Sequence, residues 1–250
     1  MTTVAEKREA FRRLHESGFF VLPNPWDIGS ARHLQSLGFK ALASTSSGFA
    51  LTLGREDYGV TRDELLEHLC SLAEASDLPL NADFEGGYAV EPEGVAANVR
   101  LAIETGVAGL SIEDRILGGA PGLLDLGLAA ERIKAARAEI DRDASGVVLV
   151  GRCEAYLVGQ PDLAATIARL QAYGEAGADC LYAPGPRTKD EIVAIVKAVD
   201  PIPVNVLLVR DGPSVAELRD LGVRRVSTGG ALAWTAWRAF TEAAKALAKA

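Results

Sequence analysis

Two carboxylates, Asp83 and Glu85, close a short apolar run that reads Leu78-Pro79-Leu80-Asn81-Ala82-Asp83-Phe84-Glu85-Gly86-Gly87-Tyr88. A carboxylate at the end of a buried strand costs free energy unless a metal ion, an arginine or backbone N–H groups pair with it. A strand followed by a polar glycine turn is the plainer reading of the same residues. The arrangement recurs along the chain. Other apolar runs end on or near Trp26 and Asp27; on Thr45, Ser46 and Ser47 with Asp57 beyond; on Glu113 and Asp114; and on Arg152 and Glu154. Tyr182, Asn205 and Ser227 close the last three. If these ends share one rim, Asp27, Asp57, Asp83, Glu85, Glu113, Asp114 and Glu154 face the single arginine Arg152. Such a set cannot all ionise near neutral pH without a cation. An all-oxygen donor set suits Mg²⁺ or Mn²⁺. Arg152 can grip an anionic group by a bidentate contact. Thr45-Ser46-Ser47 either offers backbone N–H groups to an anion or forms a simple turn. The expected ligand is small and has two anionic or chelating ends, which a 2-oxo acid satisfies. The metal would act as a Lewis acid and stabilise an enolate.

Elements that place these residues on one rim follow from the periodicity. Eight short apolar segments lie around residues 19–23, 41–43, 78–83, 108–112, 147–150, 179–182, 204–207 and 225–227, each followed by an amphipathic stretch. Alternating strands and helices argue for parallel βαβ units. Eight units in 250 residues predict an α/β fold, a single (β/α)₈ barrel with its site at the carboxyl ends of the strands. No Gly-x-Gly-x-x-Gly turn follows the first strand, so a dinucleotide-binding open sheet is disfavoured. Residues 1–250 read as one domain, with an N-terminal helix over 2–17 and a long C-terminal helix over 231–250.

Composition narrows the function classes. A net charge of −8 without a basic stripe argues against nucleic acid. No apolar run reaches the roughly 18 residues of a membrane span. The charged N-terminus does not read as a signal peptide. Cys70, Cys153 and Cys180 lack metal-type spacing and read as reduced cytoplasmic thiols. His15, His33 and His68 fall in helical stretches away from strand ends and are read as structural.

Taken together, these residues resemble the isocitrate lyase/phosphoenolpyruvate mutase superfamily over nearly the whole chain. The matching pieces, in order, are Asn24-Pro25-Trp26-Asp27 with Ser30-Ala31-Arg32, Gly38-Phe39-Lys40-Ala41, Thr45-Ser46, and Leu53-Gly54 with Asp57. Asn81-Ala82-Asp83 with Gly87-Tyr88, Gly106-Val107-Ala108-Gly109 with Ile112-Glu113-Asp114, and Arg152 with Glu154-Ala155 follow. Ala176-Gly177-Ala178-Asp179 and Leu221-Gly222-Val223 complete the set. The resemblance implies Mg²⁺ and a 2-oxo acid or enolpyruvate-like ligand. It places the family's metal aspartates at Asn81 and Asp83, and its water-mediated glutamate at Glu113. The ligand loop falls at Thr45, Ser46 and Ser47, the essential loop aspartate at Asp57, and the substrate-gripping arginine at Arg152. It further implies an oligomer, a dimer or a homotetrameric dimer of dimers, with exchange of the last helix between subunits.

Two departures matter. Asn81 stands where the family carries an aspartate, and Phe84-Glu85 is inserted before Gly86, so Glu85 becomes a candidate ligand. The loop Arg115-Ile116-Leu117-Gly118-Gly119-Ala120-Pro121-Gly122 lacks the Lys-Lys-Cys-Gly-His of the lyases and the Lys-Asn-Ser of the mutase. Its glycines permit a lid, but a lid without a proton donor. The sequence-level expectation is a Mg²⁺-dependent lyase or decarboxylase acting on a small 2-oxo dicarboxylate through a metal-stabilised enolate. Asp83, Glu85, Glu113 and Asn81 are the metal candidates. Asp57, Arg152 and Tyr88 are the catalytic ones, with Tyr88, Arg152 or a metal-bound water supplying the late proton. Trp26, Asp27, Thr45, Ser46, Ser47, Arg152 and Asn205 are expected to bind substrate. The alternatives are a hydrolase of a phosphono or acyl bond, with Asp57 orienting water, and a 2-oxo acid binding protein with little catalysis.

Overall fold

The computed structural model describes residues 2–116, 118 and 122–249. Helix α1 (Val4–Glu16) precedes eight parallel strands: β1 (Phe20–Leu22), β2 (Leu42–Ala43), β3 (Leu80–Asp83), β4 (Gly109–Glu113), β5 (Val148–Arg152), β6 (Cys180–Tyr182), β7 (Val204–Leu207) and β8 (Arg225–Ser227). Pairing runs β1-β8-β7-β6-β5-β4-β3-β2. The Ala43 N–H donates to the Pro23 carbonyl at 3.1 Å and links β2 to the end of β1. The result is the expected (β/α)₈ barrel. Around it lie α2 (Ile28–Ser36), α3 (Ser46–Thr52), α4 (Arg62–Ala75), α5 (Pro92–Glu104), α6 (Leu126–Asp143), α7 (Leu163–Glu175), α8 (Lys189–Val199), α9 (Val215–Asp220) and α10 (Ala231–Leu247).

Local chemistry explains where the helices begin. Thr3/Glu6, Thr61/Glu64, Thr188/Glu191 and Ser214/Glu217 each form a reciprocal capping box. The Asp27 carboxylate caps α2. One local expectation is revised: Thr45-Ser46-Ser47 is no simple turn. Thr45 caps α3, and Ser46 and Ser47 are its first residues.

Strand alternation sorts the core into two shells. Outward residues such as Leu80, Ala82, Leu110, Ile112, Leu149, Val204 and Val226 pack beneath the helices. Inside, Phe11 of α1 packs with Phe20, Leu22, Ala41, Ala43, Ala108, Val148, Val150, Cys180 and Tyr182 and plugs one end. Gly109 accommodates that plug, since a Cβ there would stand 2.5 Å from Phe11 Cε1. The same alternation sends Asn81, Asp83, Ser111, Glu113, Arg152, Asn205, Arg225 and Ser227 inward. Much of the barrel interior is therefore polar. Among the described residues no helix is long and apolar enough to cross a membrane.

Candidate active site

A cavity of about 160 Å³ opens inside the barrel. Its lining includes Ser46, Asp57, Asn81, Asp83, Arg152, Tyr182, Asn205 and Arg225. At its centre Asp83, the last residue of β3, meets Arg152, the last residue of β5. Arg152 Nη1 donates to Asp83 Oδ1 at 3.0 Å, and Nε donates to Glu154 Oε1 at 2.6 Å. Nη1 also stands 3.4 Å from Glu113 Oε2. The guanidinium lies 5.2 Å from the Tyr182 ring centroid. Burial works against the Arg152 charge, but Glu154, Glu113 and Asp83 outweigh it and hold the group firmly protonated. Asp83 Oδ2 accepts from both the amide and the hydroxyl of Ser46, at 2.9 and 3.0 Å. The Asp83 amide donates to Ser44 Oγ at 2.8 Å. Asp83 is thus fixed from α3, from β5 and through its own backbone.

Four of the surrounding carboxyls, Glu85, Asp57, Glu113 and Glu154, shift toward the protonated form. Burial pushes Glu85 up to about 8, and the charges of Asp83 and Asp57 add to it. Burial, reinforced by Asp83, raises Asp57. Glu113 and Glu154 are raised as well, chiefly by burial, while Arg152 opposes the rise. Tyr58 donates its hydroxyl to Glu113 Oε1 at 2.8 Å, and the Arg115 guanidinium covers the Tyr58 ring at 4.3 Å. Backbone conformation is unusual at the same place. Tyr58, Glu85 and Tyr88 all adopt positive φ, at 64°, 48° and 55°. Such strain persists only where the surroundings over-determine it.

The expected residues divide into three groups. Asp57, Asn81, Asp83, Arg152, Thr45, Ser46, Ser47 and Asn205 line the cavity. Glu85, Glu113 and Tyr88 stand behind it, with Glu85 Oε1 and Tyr88 Oη buried and without a hydrogen-bond partner. Trp26 and Asp27 are not part of that lining. The exposed Asp27 carboxylate caps α2 by accepting from the Ser30 amide at 2.6 Å. Trp26 faces a separate groove with Trp237 and Phe240. Asn81 and Asn205 sit a layer lower, with both carboxamide oxygens on Arg225 at 3.4 and 3.0 Å. Asn81 is therefore not drawn into the carboxylate set. Asp114 serves structure: it accepts from Tyr173 Oη at 2.6 Å and Arg169 Nη1 at 3.1 Å, and its other oxygen holds the Glu154 amide. Leu117, Gly119, Ala120 and Pro121 of the expected lid lie outside the described residues.

Sequence reasoning missed Asn24, Ser44, Tyr58 and Arg225. Asn24 Nδ2 donates to the Ser44 carbonyl at 2.7 Å. Its Oδ1 accepts from the Thr228 and Gly229 amides, both at 2.9 Å, tying three strand ends together. Inward alternation in β8 was the available signal for Arg225. Adjacency to Asp57 was the only signal for Tyr58.

Asp57, Asp83, Glu85, Glu113 and Glu154 crowd one arginine, and buried Glu85 Oε1 and Glu154 Oε2 have no partner. This oxygen-only excess of negative charge fits Mg²⁺ or Mn²⁺. Among the described residues no three His, Cys, Asp or Glu side chains already converge as a ready-made cage.

Fold and site together define a barrel enzyme whose chemistry rests on carboxylates and one arginine at the strand ends. Comparison with known proteins is consistent with that class. The Phosphoenolpyruvate phosphomutase family profile matches residues 11–248, and the chain belongs to that family within the isocitrate lyase/phosphoenolpyruvate mutase superfamily. It is 36% identical over 223 residues to the uncharacterized protein Rv1998c of Mycobacterium tuberculosis (strain ATCC 25618 / H37Rv), covering 88% of this chain and 81% of that protein. It is 33% identical over 229 residues to an oxaloacetate decarboxylase of Bradyrhizobium sp. (strain ORS 278), covering 86% and 74%. Among solved structures, a Burkholderia cenocepacia J2315 protein provisionally described as a lyase/mutase superposes with a TM-score of 0.92. It shares 47% identity and covers 97% of this chain and 87% of that one. Oxaloacetate acetylhydrolase in complex with oxalate superposes with a TM-score of 0.88 at 30% identity, covering 97% and 86%. The chain is an enzyme of the isocitrate lyase/phosphoenolpyruvate mutase type.

Proposed function

We propose that this protein is a Mg²⁺-dependent lyase, a decarboxylase of a small 2-oxo dicarboxylic acid. The observation that carries the proposal is the clamp of Asp83, Glu113 and Glu154 on Arg152 beside a 160 Å³ cavity. Similarity to an oxaloacetate decarboxylase supports the same class of substrate. Asp83, with Glu85 and Glu113 behind it, would hold the cation. When bound, Mg²⁺ or Mn²⁺ supplies Lewis-acid polarisation of the substrate's keto and carboxylate oxygens.

The chain's own residues do the remainder. Ser46 and Arg152 fix the Asp83 carboxylate so that it need not reorganise. Arg152 keeps its charge at any working pH and orients an anionic substrate through the N–H groups left over from Glu154 and Asp83. Loss of carbon dioxide requires no protein base, and the electron pair of the broken bond passes toward the keto oxygen. A proton must then reach carbon. Asp57 is the raised carboxyl that lines the cavity, and we assign it that delivery. Tyr88, proposed from sequence for the same role, stands behind the cavity wall, and burial pushes its hydroxyl above the ordinary tyrosine range.

A hydrolase is the second reading. Asp57 at the cavity would orient water, and the similarity to oxaloacetate acetylhydrolase favours it. The reading extends to a single-domain cytoplasmic enzyme, which its unpaired cysteines suit. It also extends to a homo-oligomer, since Trp234, Phe240 and Leu247 leave an apolar face of α10 uncovered.

The test is turnover of oxaloacetate, citramalate and phosphonopyruvate with Mg²⁺, following pyruvate, acetate and phosphate. From oxaloacetate, pyruvate without acetate supports the decarboxylase and acetate with oxalate supports the hydrolase; phosphate from phosphonopyruvate also supports a hydrolase, and acetate with pyruvate from citramalate supports a lyase. Asp83→Ala should abolish either. Binding of 2-oxo acids with no turnover of any candidate would reduce the protein to a binding module. No metal requirement at all would refute the proposal.

A further inference from the structure

Arg225 presents a charge that the proposed chemistry does not use. It opens β8, points into the barrel and is 2% exposed. Its Nε donates to Asn205 Oδ1 at 3.0 Å. Its Nη1 reaches His15 Nε2 at 3.1 Å and Asn81 Oδ1 at 3.4 Å. His15 Nδ1 lies 2.8 Å from the Phe11 carbonyl, so Nδ1 carries the proton and Nε2 accepts from Arg225. Every partner is neutral, and no carboxylate pairs with Arg225 among the described residues.

An ionised group buried among neutral partners costs several kcal/mol unless something else compensates it. Arg225 differs from Arg132, the other deeply buried arginine, which is enclosed by three carbonyls and faces no cavity. Arg225 lines the same cavity as Asp57, Asp83 and Arg152. Its Nη2 has no protein acceptor among the described residues. Ser227, two residues further along β8, accepts from Asn205 Nδ2 at 3.0 Å and lines the cavity beside Arg225. The cavity thus has a carboxylate-rich mouth and a cationic floor. A ligand negative at both ends fits this polarity when a cation covers one end.

We propose that Arg225 forms an anion subsite at the floor of the cavity, which takes the distal carboxylate of a dicarboxylic substrate. This deepens the 2-oxo acid reading and rests on it for the other end of the ligand. The subsite selects against 2-oxo monocarboxylates of the same length. They would leave the guanidinium buried and unpaired, and a polar site rejects strongly an analogue that lacks the partner group.

The experiment compares oxaloacetate with 2-oxobutyrate, which lacks only the distal carboxylate, and includes succinate as a dianion without a keto group. KM or inhibition constants are measured with Mg²⁺ for the intact protein, Arg225→Gln, Arg225→Lys and Asp83→Ala. The intact protein should prefer oxaloacetate to 2-oxobutyrate by tenfold or more. Arg225→Gln should lose that preference while its 2-oxobutyrate constant stays within about twofold. Arg225→Lys should keep part of the preference, which rules out simple misfolding as the cause. Equal weakening for both acids in Arg225→Gln, or no change for either, would overturn the subsite. If neither oxaloacetate nor 2-oxobutyrate shows Mg²⁺-dependent binding to the intact protein, the 2-oxo acid reading fails by itself. Succinate then decides the subsite: thermal stabilisation lost in Arg225→Gln but kept in Asp83→Ala sustains it, and stabilisation independent of Arg225 removes it.

Discussion

Arg132→Met tests how the site is held in place. Arg132 projects from α6 and is almost fully buried. Its Nη1 donates to the Glu113 carbonyl at 3.0 Å, and its Nη2 donates to the carbonyls of Gly86 and, at 3.1 Å, Ala89. One guanidinium therefore joins the end of β4 to the loop that carries Glu85 and Tyr88. Methionine fills a similar length of space but donates nothing, so three carbonyls lose an acceptor bond. A buried group left unsatisfied costs about 1–3 kcal/mol, and the low end applies where water can enter. Three carbonyls at about 1 kcal/mol each give a loss of about 3 kcal/mol. For a chain of this size that lowers the melting temperature by about 6–12 °C. Calorimetry with urea unfolding in parallel measures both. A loss below about 1 kcal/mol, with Glu85 and Tyr88 still at positive φ in a structure of the variant, would refute the claim that Arg132 holds this loop.

Two further predictions concern the barrel interior. Burial, with Arg225 adjacent, depresses the His15 pKa to about 3, so the unfolded chain binds a proton that the folded chain refuses between about pH 6.5 and 3. Stability from this group is complete above that window and declines as pH falls through it, at about 1.4 kcal/mol per unit. Between pH 7 and 5 the intact protein should therefore lose about 2 kcal/mol more than His15→Gln, and identical urea curves would sink the assignment. Gly109→Ala places a Cβ 2.5 Å from Phe11 Cε1 and 2.9 Å from Asn81 Oδ1. It should destabilise by about 1–3 kcal/mol in chemical denaturation, and a Phe11→Leu partner should restore part of that.

The eightfold pattern was legible because each strand is apolar and each helix carries its own punctuation. Thr61/Glu64 and Thr188/Glu191 mark helix starts in sequence and form capping boxes in the structure. The strand-end rule likewise singled out Asp83 and Arg152, the last residues of β3 and β5, whereas Asn205 falls inside β7 and a layer lower, on Arg225. Trp26 and Asp27 obeyed the same rule on paper. A capping role and a site role require the same residue type just after a strand, and Asp27 took the first.

By itself, then, the sequence determined the barrel and the excess of carboxylates over arginine near its strand ends. Only the tertiary structure decided which carboxylates share Arg152 and which stand behind the cavity, because those distances cross from one strand to another. It also revealed Tyr58 on Glu113 and Arg225 among neutral partners. Arg225 illustrates the physical reason. Alternation with Ser227 puts Arg225 on the inward face of β8, but its neutral partners Asn205, His15 and Asn81 come from other elements and meet it only when the barrel closes around it.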